Sequence, residues 1–244
     1  MILRLIADIG ADGARYRAIE FCGETIDTLP LSHRTTLCNM VVEAGAKNGI
    51  IQADETTLNW IRPRAKRNVR LFRADPDAKY EEVRRYDVSN LAPQVACPSI
   101  SSNVKPVEAL GTIHVHQVVV GSCTNGMIDD LRVAAGILSG YTINRKVRMI
   151  VLPGTQKIYK QALEEGLVAT FTDAGAVVLP AGCGPCTGAH MGVLANGETA
   201  VTTTSRNFAG SMGDPGSSVY LANPAVAAAS ALTGVITDPR HIKK

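Results

Sequence analysis

The sequence contains no run of about 18 uninterrupted apolar residues, and that absence excludes a bilayer-spanning helix. It also lacks an excess of either charge. Its 25 Lys and Arg face 22 Asp and Glu for a net charge of +3, so composition points to neither nucleic acid nor an anionic membrane as partner. The first residues, Met1 to Asp8, carry an early arginine and no cleavage site after a long apolar region, so a secretory signal is not expected. No segment repeats at a fixed period. What is present is a globular balance: 45% hydrophobic and 19% charged residues over 244 positions, enough for one large domain or two small ones. In the reducing cytoplasm expected for such a chain, its six cysteines are ligands or buried thiols rather than a disulfide framework.

Along the chain, Ile2 to Ile6 reads as a strand and Gly10-Ala-Asp-Gly13 as a turn. Ser32 reads as the N-cap of a helix running to about Ala46, and Asp54 as the cap of another that stops before Pro63. The proline-rich stretch from Asn90 to Gly111 reads as a connection between domains. Beyond it the pattern alternates. Strands are expected at 117–120, 147–152 and 176–179, with helices at 127–139, 155–165 and 168–173 between them. A fourth strand fits Thr199 to Thr204, and Pro224 opens an alanine-rich helix closed by Gly234. This alternation predicts an α/β chain with a mostly parallel sheet. The expected division is a domain at 1–92, a linker at 93–112 and a second domain at 113–244.

Three cysteines stand out against that background. Cys123 lies in Gly-Ser-Cys-Thr-Asn-Gly directly after one expected strand, and Cys183 and Cys186 form Cys-Gly-Pro-Cys after another. Ligand sites in open parallel sheets gather beyond the carboxyl ends of strands, so both segments are expected at one sheet edge. Three chemistries remain open on local grounds. An iron–sulfur cluster takes three thiolates and leaves one iron free, zinc would recruit His190 as a fourth ligand, and a redox dithiol would use the Cys-x-x-Cys pair alone. Cys22, Cys38 and Cys97 are read as small buried hydrophobes.

Val120-Gly-Ser-Cys-Thr-Asn-Gly126, Cys183-Gly-Pro-Cys-Thr-Gly-Ala-His-Met-Gly192 and Ser205-Arg-Asn-Phe-Ala-Gly210 resemble, in order and spacing, motifs of the aconitase superfamily. The likeness extends to Cys38-Asn-Met40, Glu43-Ala-Gly-Ala46 and Leu221 to Ser230, and is nearest to large subunits that dehydrate isopropylmalate in leucine biosynthesis and to homoaconitases. The resemblance implies two three-layer α/β domains with mostly parallel sheets, and a [4Fe-4S] cluster held by Cys123, Cys183 and Cys186. Its fourth iron would act as a Lewis acid on a 2-hydroxy di- or tricarboxylic acid. The resemblance casts Asn39 and Glu43 as the pair orienting water and ligands, and Arg206 as a carboxylate clamp with Ser205 and Ser211 beside it. The chain departs from the family pattern where Ser205 replaces an asparagine, Ser211 an arginine, Met127 an arginine after Thr-Asn-Gly, and Ser99 to Ser102 a His- and Asp-containing segment. The resemblance also implies partners, namely a small swivelling-domain subunit that supplies a serine base and an N-terminal domain on another chain. The alternative is a non-catalytic relative that holds a cluster or zinc, or acts as an RNA-binding or regulatory partner.

One feature stands outside this pattern. Arg62, Arg64, Lys66, Arg67, Arg70 and Arg73 place six cations in twelve residues without an acid. Such a run is a nonspecific sign; it reads as a solvated face or a dock for an acidic partner rather than as a nucleic-acid site.

Overall fold

In the computed structural model, which describes residues 1–242, the N-terminal part comprises α1 (Ile2–Ile9), β1 (Ala18–Phe21), α2 (Glu24–Thr28) and α3 (Leu31–Met40). A 3₁₀ turn at Val41–Ala44, β2 (Asn48–Ile51) and α4 (Glu55–Ile61) follow. The first segment is therefore a helix, not the strand expected from its apolar start. Ile2, Leu5, Ile6 and Ile9 recur at helical spacing, and the face bearing Ile2 and Ile6 is buried. Helix α3 also begins and ends otherwise than expected. Pro30 precedes it, while buried Ser32 donates to Asp129 at 2.6 Å instead of capping. The turn after α3 closes at Gly45, whose φ of 81° is left-handed. Asp54 caps α4 as expected, accepting from the Thr57 amide. Its carboxyl also pairs with the buried Arg34 guanidinium at 2.8 Å, and Arg34 holds it down at about 2.

The remainder builds one large sheet. In chain order it supplies β3 (Gln94–Ala96), β4 (Val104–Pro106), β5 (Gln117–Gly121), α5 (Ser122–Asn125), α6 (Ile128–Leu138) and β6 (Arg148–Leu152). Next come α7 (Gln156–Glu164), α8 (Leu167–Asp173), β7 (Val177–Val178), β8 (Thr199–Thr202), β9 (Ser218–Leu221) and α9 (Pro224–Thr233). The strand order is β4-β3-β9-β8-β5-β6-β7, with the five strands from β9 to β7 parallel and β3 and β4 antiparallel at one edge. The α/β class and the mostly parallel sheet are as expected. Segment 93–112 is not a bare connection, since β3 and β4 belong to the sheet. Its prolines sit just outside β3 and at the end of edge strand β4, where a missing N–H breaks no interior ladder.

Two hydrophobic cores sit on the faces of this sheet. Val118, Val120 and Val151 pack with Leu131 and Leu138 of α6, Phe171 of α8 and the alanines of α9 on one face. On the other, Val119, Ile150 and Leu152 meet Leu179, Leu194 and Met212 from the connecting loops. A third cluster joins α1 and α3 to Ala96 and Leu221, so the N-terminal part docks on the β3–β9 side. Among the described residues no helix is long and apolar enough to cross a membrane.

The topology fixes where a ligand can bind. Moving outward from β5, the chain runs through β6 and β7 on one side and through β8 and β9 on the other. The order thus reverses between β5 and β8, and the crevice at such a reversal is the natural binding place in an open parallel sheet.

Candidate functional site

Cys123 lies immediately beyond the carboxyl end of β5, at that reversal point. Gly121, with φ of 122°, and Ser122, with φ of 70°, turn the chain sharply out of the strand into α5. Left-handed backbone at a non-glycine residue is strained by roughly 1–2 kcal/mol. Here it is held between β5 and a fully buried hydroxyl, Ser122 Oγ, that has no hydrogen-bond partner. The turn is braced from β8 and its extension. Thr203 Oγ1 accepts from the Gly121 amide at 2.8 Å, and Asn125 Nδ2 donates to the Thr203 carbonyl at 2.9 Å.

Helix α3 braces the same turn from the other side. Thr36 Oγ1 lies 3.1 Å from both the Thr124 carbonyl and Asn125 Oδ1, and Asn39 Nδ2 donates to the Cys123 carbonyl at 3.4 Å. The N-terminal part of the chain therefore reaches the cysteine turn directly.

Cys183 and Cys186 arrive from the far end of β7 on a 3₁₀ turn whose Gly184 has φ of 55° and packs against Leu152. Cys123 and Cys183 are exposed and Cys186 is buried. Burial pushes the Cys183 thiol up, Cys123 and Cys186 beside it push it further, and Arg206 opposes the rise. One thiol thus senses the other two thiols and the arginine together. Arg206 follows the carboxyl end of β8. It also faces Glu43, whose carboxyl burial pushes up and Arg206 pulls down. Asn39 and Glu43 lie on different elements, because α3 ends at Met40 and Glu43 falls in the 3₁₀ turn. Both still reach the cysteine–arginine group. Ser205 is half-buried beside Arg206, and Ser211 is buried with an unpartnered hydroxyl.

Three thiols carried on two turns are a donor set that an iron–sulfur cluster accepts. Among the described residues no three His, Cys, Asp or Glu side chains gather around one metal position. A tetrahedral zinc takes its sulfurs at about 2.3 Å together with a fourth ligand, whereas a cluster binds each thiolate to a different iron. His190 is exposed on a turn with φ of 74°. The other cysteines do not form a uniform buried set: Cys97 is buried, Cys38 half-buried and Cys22 exposed.

Several supporting residues escaped the sequence reading. Thr203, Thr36 and Asn125 brace the Cys123 turn, Asn207 Nδ2 donates to the Cys97 carbonyl at 2.9 Å, and Ser101 Oγ donates to the Glu43 carbonyl at 3.1 Å. The available signal was topological. Once Thr199 to Thr204 is taken as a strand parallel to β5, its carboxyl end must lie beside Cys123.

Asp130 closes the back of this turn. Its carboxylate accepts from the Met127 amide at 3.0 Å, fixing the start of α6, and it lines a cavity of 260 Å³ with Thr36, Asn125 and Thr204. Burial pushes its carboxyl up to about 7, against the Met127 bond and with help from the charge of Asp129. The folded state therefore keeps a proton that the unfolded chain releases near 3.8, and stability declines as pH rises through that window. Asp130→Asn keeps the acceptor for Met127, so urea titrations at pH 5 and pH 8 are expected to show a smaller loss of stability in the variant than in the unsubstituted chain. An equal loss in both proteins would remove Asp130 as its source.

The profile of the aconitase family (aconitate hydratase) matches residues 1–234. The chain is 55% identical over 242 residues to the 3-isopropylmalate dehydratase large subunit of Thermodesulfovibrio yellowstonii, covering 99% of this chain and 58% of the relative. Identity to the large subunit of the same name from Desulfitobacterium hafniense is 55% over 242 residues, with the same coverage. A protein of Methanothermobacter thermautotrophicus named probable methanogen homoaconitase large subunit is 51% identical over 241 residues, 99% of this chain and 56% of that protein. The chain thus spans little more than half the length of these relatives.

Proposed function

The chain belongs to the aconitase family, and from that premise we propose that it forms the cluster-bearing part of a [4Fe-4S]-dependent hydro-lyase. The proposed reaction removes and returns water on a 2-hydroxy di- or tricarboxylic acid, as in isopropylmalate isomerisation. The observation that carries this reading is the meeting of Cys123, Cys183, Cys186 and Arg206 at the sheet's reversal point.

In this proposal Cys123, Cys183 and Cys186 hold the cluster, and Asn39, Thr36 and Thr203 fix the turn that presents Cys123. The cluster, when bound, supplies a Lewis-acidic iron that polarises a hydroxyl and a carboxylate. Arg206 is exposed and makes no salt bridge among the described residues, so its planar fork is free to take a substrate carboxylate in two parallel hydrogen bonds. Glu43 faces it from a half-buried position, where burial pushes its carboxyl up and Arg206 pulls it down; in this proposal it handles a proton at the reacting hydroxyl. The relatives are named large subunits; for this chain we propose a small subunit as partner, supplying the base, with further residues from a domain that the longer relatives carry.

The test is activity after anaerobic loading with iron and sulfide and mixing with the small subunit and an N-terminal domain. Hydration of an unsaturated dicarboxylic acid is expected, and a cluster-loaded assembly without turnover would leave a non-catalytic cluster protein. Within an active assembly, Arg206→Lys is expected to lower kcat/KM by about 10- to 100-fold, mainly through KM, because a charge-assisted hydrogen bond is worth roughly 1.5–3 kcal/mol. Iron content should not change. A variant that loses iron while keeping KM would assign Arg206 to holding the cluster rather than the substrate.

A further inference from the structure

We propose that residues 60–73 form a docking arm for an acidic, partly apolar surface on another polypeptide. No helix or strand covers 62–93, and all six cations of the run are exposed. Local structure engages three of them, Arg70 by lying over the Phe72 ring. Arg62 pairs with Glu55, and Arg64 donates to the Trp60 carbonyl at 2.7 Å while lying over the Trp60 ring. Both sit at the end of α4, where cations suit the helix dipole. Lys66, Arg67, Arg70 and Arg73 make no salt bridge among the described residues. Uncompensated like charges packed along one segment repel one another, and an acidic partner relieves that repulsion.

The apolar residues decide what kind of partner fits. Val69, Leu71 and Phe72 are interleaved with cations that make no salt bridge among the described residues, and Phe72 is 74% exposed. A purely ionic contact gives them nothing to bury, whereas a protein surface with acidic and apolar groups satisfies both. Nucleic acid fits less well. Arg64 covers one face of Trp60 at 4.4 Å and Arg70 one face of Phe72 at 5.0 Å, so guanidinium groups already occupy ring surface that bases would stack on. The six cations of the run also exceed the net charge of +3, leaving the rest of the chain net acidic and repulsive to a long polyanion.

The experiment measures fluorescence anisotropy with the full chain and three labelled probes of equal charge: a Glu/Leu/Trp peptide, a Glu/Ser peptide and oligouridylate. The Glu/Leu/Trp peptide is expected to bind at least about tenfold tighter than either other probe, with affinity falling as salt rises. Arg67→Glu, Arg70→Glu and Arg73→Glu together should abolish its binding. Phe72→Ser should erase its advantage over the Glu/Ser peptide. These side chains lie outside the hydrophobic cores, so far-UV circular dichroism should be unchanged. Oligouridylate binding as tightly as the apolar peptide, peptide binding that survives the triple reversal, or no peptide binding at low ionic strength would each overturn the proposal.

Discussion

Cys123→Ser is expected to leave a folded protein that retains less than about a tenth of the iron and sulfide taken up by the unsubstituted chain under anaerobic loading. Cys123 is exposed and belongs to none of the hydrophobic clusters, so the substitution removes little packing. It does remove a thiolate. A serine hydroxyl stays protonated near neutral pH and is a hard, weak ligand for iron, leaving Cys183 and Cys186 on a single turn to hold the cluster from one side. Changes to groups that merely orient a ligand already weaken metal binding about 10- to 100-fold, so loss of the ligand itself must do more. Cys38→Ser serves as the control. Cys38 lies within α3 beside Gly49, and its substitution should leave iron uptake unchanged. Equal uptake by the Cys123 and Cys38 variants would remove Cys123 from the ligand set.

The second large effect concerns the backbone. Gly121→Ala is expected to lower the unfolding free energy by about 4 kcal/mol or more, a size reserved for named structural failures. A Cβ at this position would stand 1.9 Å from the Leu152 carbonyl oxygen, which is backbone of β6 and cannot rotate away. The φ of 122° is itself open in practice only to glycine. Relief requires β5 and β6 to separate at the end that presents Cys123, so stability and iron uptake should fall together. Thermal melting should show a drop of roughly 10 °C for a chain of this size. Gly136→Ala is the matched comparison. Nothing lies within 4 Å of its Cβ, and it sits in the exposed side of α6. There alanine should be neutral or stabilising by about 0.5–1 kcal/mol. If the two variants melt alike, the clash at Gly121 is not what constrains the turn.

Much of the C-terminal sheet was legible because each element announces itself locally. Thr155 and Asn223 cap α7 and α9 with their side chains, Gly234 closes α9 in the left-handed region, and Leu131, Ala134, Ala135 and Leu138 mark one face of α6. Elements whose reason is tertiary were not. Strand β9 hides in a glycine- and serine-rich stretch and exists because it pairs with β8, while β3 and β4 lie among prolines that mark a sheet edge as easily as a linker. Helix α1 was misread because five apolar residues among the first six look alike as strand or helix until Ile9 extends the period. At the site, the cysteines and Arg206 carry distinctive neighbours in sequence. The bracing groups Thr36, Thr203, Ser101 and Asn207 act through hydrogen bonds spanning at least 58 positions, which no local pattern encodes. Glu43 shows the intermediate case. The helix expected from Ser32 to about Ala46 would carry it with Asn39, yet the helix ends between them and the 3₁₀ turn brings Glu43 toward Arg206.

The central claim is that three thiols at the reversal point of a parallel sheet hold an iron–sulfur cluster. Its most direct test is iron, zinc and sulfide analysis of the chain after anaerobic reconstitution, read together with the visible spectrum. The account predicts a brown protein with about four irons and four sulfides per chain and broad visible absorption. A colourless protein carrying one zinc per chain and no sulfide would contradict it.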